Sequence, residues 1–137
     1  MDKEQAVRQA LRKRFMALEL RDYEMMKSVF YPKAQIIQSG RFQLQKTIEE
    51  YIQWIESLFD RIEINQYQVK DIQLFETVAV VSESYHFYYT RKSDLVNCVG
   101  YGSISSVLKN WEGQWKIIQM CVGNHTLELD TSSDVIS

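Results

Sequence analysis

The apolar positions of this chain follow two periods. Up to about Phe59 they recur at helical spacing, broken by one short β-branched run, and from Ile62 to His125 they recur near every second residue. Between Asp2 and Arg21, Val7, Ala10, Leu11, Phe15 and Leu18 form one stripe, with Arg14 set into it, which predicts a long amphipathic first helix. Asp22 is a good N-cap for a second, short helix over Tyr23–Tyr31, ended by Pro32 because residues before proline avoid the helical region. AQIIQS, Ala34 to Ser39, reads as a first strand closed by Gly40. Thr47 with Glu50 makes a capping box that opens a third helix bearing Ile48, Tyr51, Ile52, Ile55, Leu58 and Phe59 inward.

The second half predicts strands over Ile62–Phe75, Thr77–Arg91, Leu95–Lys109 and Gln114–His125, an antiparallel meander rather than βαβ units. Gly100 and Gly102 share a face inside one strand, as a bend or bulge in a curved sheet would require. The expected organisation is a single domain over 1–125 and a polar, partly disordered tail over 126–137.

The stretch TVAVVSESYHFYYTR carries bulky residues on both faces. One face reads Val81, Glu83, Tyr85, Phe87 and Tyr89, and the other Val80, Ser82, Ser84, His86 and Tyr88. Glu83 is thus in line with large apolar neighbours. It is either solvent-facing at a strand edge or a carboxylate aimed into a cavity, and Arg14 either snorkels off its helix or points into the same space.

Composition narrows the function classes. Sixteen Lys and Arg against eighteen Asp and Glu leave a net charge of -2 with no extended basic cluster, which argues against nucleic acid as a partner. The N-terminus is charged throughout and no run approaches the ~18 apolar residues of a membrane helix, so a cytoplasmic protein without a membrane partner is expected. Cys98 and Cys121 have neither disulfide-framework nor zinc spacing and read as buried free thiols. Gly-rich phosphate loops and metal-binding motifs are not visible, so no cofactor or metal is expected.

The segments LRDYEMMKSVFYPKA, TIEEYIQWIESLF and EGQWKIIQM, in this order of helices and strands, resemble the nuclear transport factor 2-like superfamily, the ketosteroid-isomerase or SnoaL-like cone fold. The resemblance covers about Gln5 to His125 and rests on packing and turn signatures, so it speaks to fold more than to function. It implies an α+β domain, with three N-terminal helices packed on a strongly curved antiparallel sheet as a cone-shaped barrel. It further implies an apolar pocket between helices and sheet, and a homodimer through the outer sheet face, consistent with apolar residues on both strand faces.

Carried onto this sequence, the resemblance puts Glu83, Tyr85, Phe87, Tyr101, Ser103, Ser105, Ile118 and Met120 on the pocket face. Arg14 and Trp54 come from the helices, Gln38 stands at the end of the first strand, and Gln119, Cys121 and Cys98 lie opposite. Where ketosteroid isomerases use a tyrosine, an aspartate base and a protonated aspartate, the nearest positions here hold Arg14, Gln38 and Ser105, which cannot perform that chemistry. Two readings follow. One is a domain that binds an apolar small molecule without catalysis. The other is an acid/base enzyme of isomerase, dehydratase or cyclase type, with Glu83 as the titrating group and Arg14 as its partner.

Overall fold

The computed structural model describes residues 2–39 and 44–128. α1 (Lys3–Leu20) opens on a capping box, the Asp2 side chain accepting from the Gln5 N–H while the Gln5 side chain accepts from the Asp2 N–H. It closes where Arg21 turns left-handed (φ 57°) and its N–H folds back onto the Ala17 and Leu18 carbonyls. The predicted stripe is buried, Arg14 included.

α2 (Tyr23–Ser28) is capped by Asp22 and ends three residues before the predicted limit of Tyr31. The sheet claims those residues: the Val29 carbonyl accepts from the Ile117 N–H at 2.9 Å, and Phe30 pairs with Ile117 at the start of β1 (Phe30–Ser39). Pro32, which has no N–H to give, falls where the β1–β6 ladder skips from Phe30 to Gln35. A short β2 (Leu44–Lys46), not expected from sequence, pairs with β1. Gly40, expected to close the first strand, lies outside the described residues. Thr47 and Glu50 form the expected capping box at the head of α3 (Ile48–Leu58).

The remaining strands are β3 (Phe59–Leu74), β4 (Val78–Arg91), β5 (Asn97–Trp111) and β6 (Gln114–Glu128), the last running past the expected end at His125. The six strands form one curved sheet in the order β2-β1-β6-β5-β4-β3. The sheet is mixed rather than wholly antiparallel, because β1 runs parallel to β6. Those two strands are remote in sequence, so no hairpin dictates their relative direction.

Register shifts at Phe59/Arg61, Asn65/Gln68 and Val69/Asp71 along β3, and at Val107/Leu108 between β5 and β6, supply the bending. Gly100 and Gly102 do not: the β4–β5 ladder runs through them without a shift. They lie opposite Phe87 and Tyr85, and an added Cβ would meet Phe87 Cζ at 2.6 Å from Gly100 or Tyr85 Cζ at 2.7 Å from Gly102. Their role is to let two aromatic rings lie flat across β5.

α1 packs on β3 and β6, and α3 on β1, β2 and β3. Between helices and sheet lies one core that includes Leu11, Met26, Ile36, Ile55, Leu108 and Ile117. On the opposite sheet face, His86, Tyr101 and His125 stand in direct cross-strand register, with Tyr88 and Tyr101 each at least half exposed.

Candidate functional site

Arg14 comes from the buried stripe of α1 and Glu83 from the inward face of β4, and the fold brings them together in the core. The pairing is bidentate: Arg14 Nη1 donates to Glu83 Oε1 at 3.0 Å and Nη2 to Oε2 at 2.6 Å. Arg14 is 3% exposed and Glu83 2%. Nη1 also contacts the Met120 sulfur at 3.7 Å, and the guanidinium carbon stands 4.0 Å from the Phe15 ring centroid. Burial pulls the guanidinium toward losing its charge, but the facing Glu83 carboxylate more than reverses this, so Arg14 is held above its ordinary value.

Phenols complete the surroundings. Tyr67, on β3, donates its hydroxyl to Glu83 Oε2, and the Tyr85 hydroxyl donates to Asn124 Oδ1 at 2.5 Å. Burial pushes Tyr51 up to about 12 against a weaker opposing pull from Arg14. Burial also holds Tyr67 and Tyr85 above the ordinary phenol range, the Glu83 carboxylate adding to the effect on Tyr67 and Tyr51 to that on Tyr85.

A stability consequence follows for alkaline pH. Above the ordinary phenol value of 10.0 the unfolded chain releases the Tyr51 proton while the folded chain keeps it up to about 12. The unfolded state then binds fewer protons, so this contribution is complete below pH 10 and is lost as pH rises toward 12; for Tyr51 it amounts to about 2–3 kcal/mol. Urea midpoints should fall between about pH 9 and pH 11.5, and fall less in Tyr51→Phe. Equal slopes for the two proteins would contradict the assignment.

The inner cavity is lined by Arg14 and Phe15 from α1, Tyr51 and Trp54 from α3, and Tyr85, Phe87, Met120 and Asn124 from the sheet, and encloses about 30 Å³. A wider hollow of about 220 Å³ adjoins it, bordered by Gln38, Leu58, Tyr89 and Thr126. Both spaces share Trp54, Phe59, Phe87 and Asn124. Of the predicted site residues, Arg14, Tyr85, Phe87, Trp54 and Met120 therefore converge on the cavity, Glu83 joins them through Arg14 without itself lining it, and Gln38 sits at the outer hollow.

Tyr101, Ser103 and Ser105 do not. They occupy the outer face of β5, exposed, because the register sets Tyr85 against Gly102 and Glu83 against Ile104, so even-numbered residues of β5 face the helices. By the same register Cys98 points inward, buried, rather than outward as expected, while Cys121 and Gln119 lie opposite Ser105 and Val107 on the outer face. Ile118 is the extra residue where the β5–β6 register slips between Gln119 and Ile117, and it is not part of the cavity wall.

The sequence reading missed Tyr67, Tyr51 and Asn124 as site residues. Tyr67 had a signal: the apolar positions of β3 change parity from Ile62 and Ile64 to Tyr67 and Val69, then back at Ile72, and the bulges at Asn65/Gln68 and Val69/Asp71 are the cause. Gln66 takes a left-handed φ of 48° at the first of these. Tyr51 was visible as a core position of α3, and Asn124 shares the parity of Met120 on β6, so the alternation that set Met120 inward could have found it.

Among the described residues no group of three His, Cys, Asp or Glu gathers to hold a metal ion, and no helix is long and apolar enough to cross a membrane.

The SnoaL-like family model and similar solved structures place the chain in the nuclear transport factor 2-like superfamily. Among solved structures the chain is similar to a conserved protein from Planctomyces limnophilus, at 19% identity and TM-score 0.78, over 90% of this chain and 97% of that one. It is likewise similar to a ketosteroid isomerase-like protein from Erwinia carotovora atroseptica, at 16% identity and TM-score 0.75, over 90% and 98%. A nuclear transport factor 2-like superfamily protein from Salmonella enterica matches at 16% identity and TM-score 0.71, over 93% and 92%. At such identities the likeness is one of fold. No curated protein sequence matches. The SnoaL-like domain model matches residues 7–122, and the chain belongs to that family.

Proposed function

We propose that this chain is a non-catalytic SnoaL-like domain, a cone-shaped α+β barrel that binds an apolar small molecule and pairs with a second copy through its outer sheet face. The observation that carries the reading is the state of Glu83. Both of its oxygens accept from one guanidinium and Oε2 accepts also from Tyr67. A general base needs a free oxygen within reach of a substrate proton, and a general acid needs a proton of its own to give. Both Glu83 oxygens are engaged by the pair, and Glu83 does not line the cavity where a substrate would sit.

What supports the pocket is the aromatic and aliphatic lining with few polar groups. What supports the dimer is the outer face of β4 and β5, where Val80, Tyr88 and Tyr101 are exposed among serines and no Asp or Glu stands between Val80 and Tyr88 on that face. Native mass spectrometry should give twice the chain's 16.2 kDa carrying a small organic mass. Light scattering at tens of micromolar should agree, and Tyr101→Asp should halve the mass while leaving the circular dichroism intact. A ligand-free monomer would contradict the reading.

A further inference from the structure

The polar atoms left over at the cavity say what kind of ligand it admits. Arg14 lines the inner space, and its Nε–H is buried without a partner among the described residues. A buried donor in that condition is a standing penalty that an acceptor atom relieves. The inner space, about 30 Å³, has room for about one water, or one ligand oxygen. The adjoining hollow of about 220 Å³, walled by Trp54, Phe59, Phe87 and Tyr89, has the size and flat walls for a ring system. At the boundary Asn124 Oδ1 accepts a hydrogen bond from the Tyr85 hydroxyl, which leaves its amide N–H groups to donate.

Charge decides the rest. The guanidinium is already neutralised by Glu83 in a bidentate pair, and the nearby groups, Tyr51, Tyr67 and Tyr85, are neutral phenols. A ligand carboxylate would enter as a second anion beside Glu83 with no cation of its own, which low-dielectric surroundings penalise heavily.

We infer that the pocket selects a neutral, ring-bearing ligand that places one acceptor oxygen on Arg14 Nε–H, and that it rejects the corresponding anion despite the arginine in its wall. The inference rests on the ligand-binding reading above and adds the polarity of what is bound. Arg14 and Glu83 would together act as a charge filter, Arg14 giving the hydrogen bond and Glu83 cancelling the attraction for anions.

The test is a matched series on the full chain at neutral pH: 2-acetylnaphthalene, 2-ethylnaphthalene and 2-naphthoate, followed by the ¹H–¹⁵N signals of Arg14 Nε–H and of the Asn124 side-chain amide. The ketone should bind about tenfold more tightly than the hydrocarbon, as one relieved buried donor implies. It should also shift the Arg14 Nε–H signal, which the hydrocarbon leaves in place, and naphthoate should bind most weakly. Equal binding of ketone and hydrocarbon, or tightest binding of naphthoate, overturns the inference and leaves the pocket reading standing. Failure of all three to bind removes both.

Discussion

Replacing Glu83 by Gln should destabilise the folded chain by about 3–5 kcal/mol in urea unfolding, a large part of the margin of a domain this size. The volume hardly changes, so the loss is electrostatic. Arg14 would remain charged, 3% exposed, with its facing carboxylate replaced by an amide that offers only one acceptor oxygen. Tyr67 would lose its charged acceptor in the same step. Arg14→Met should cost a similar amount for the mirror reason, leaving Glu83 buried in the core beside Val81 and Tyr85. Were Glu83 instead a working acid or base held loosely in a wet pocket, Gln would be nearly isoenergetic. A change of under about 0.5 kcal/mol is thus the result to look for as a contradiction.

The second large effect belongs to Gly100→Ala, at about 1–3 kcal/mol and toward the upper end of that range. An added Cβ would stand 2.6 Å from the His125 backbone carbonyl oxygen as well as 2.6 Å from Phe87 Cζ. A ring can swing away; a strand carbonyl cannot without opening the β5–β6 ladder between Gly100 and Thr126. Because Phe87 borders both the inner cavity and the outer hollow, the same substitution should alter ligand affinity. Wild-type stability and wild-type affinity in Gly100→Ala would show that the close approach is not maintained in solution.

How far the sequence led depends on which residues are considered. Capping boxes and helical stripes are local, and α3 was legible down to its N-cap and α1 along its stripe, with Arg14 already set into the buried face. The two faces of β4 were legible too, with Glu83 in line with Val81, Tyr85, Phe87 and Tyr89, but whether that carboxylate met solvent or the core stayed open until Arg14 was placed against it. β5 was not. Its outward and inward faces differ little in composition, Tyr101, Ser103 and Ser105 against Gly102, Ile104 and Ser106, and only the pairing with β4 fixes which is buried. The two glycines of the inner face read as a bend or bulge, whereas they mark where Tyr85 and Phe87 lie across the strand. The end of α2 was misplaced for a related reason: Val29 and Phe30 suit a helix as well as a strand, and their bonds to β6 are long-range. Tyr67 needed a bulge to be counted, and a bulge shifts parity without any required residue type.

The most direct measurement is a double-mutant cycle on stability, with Arg14→Met, Glu83→Leu and the two combined. If the two side chains form a fixed ion pair beside the cavity that Arg14 lines, the double variant recovers much of what either single variant loses, with a coupling energy of about 2 kcal/mol or more. Single-variant losses that simply add, to within about 0.5 kcal/mol, would mean that Arg14 and Glu83 act independently, and the claim that Glu83 neutralises the arginine of the cavity wall would be wrong.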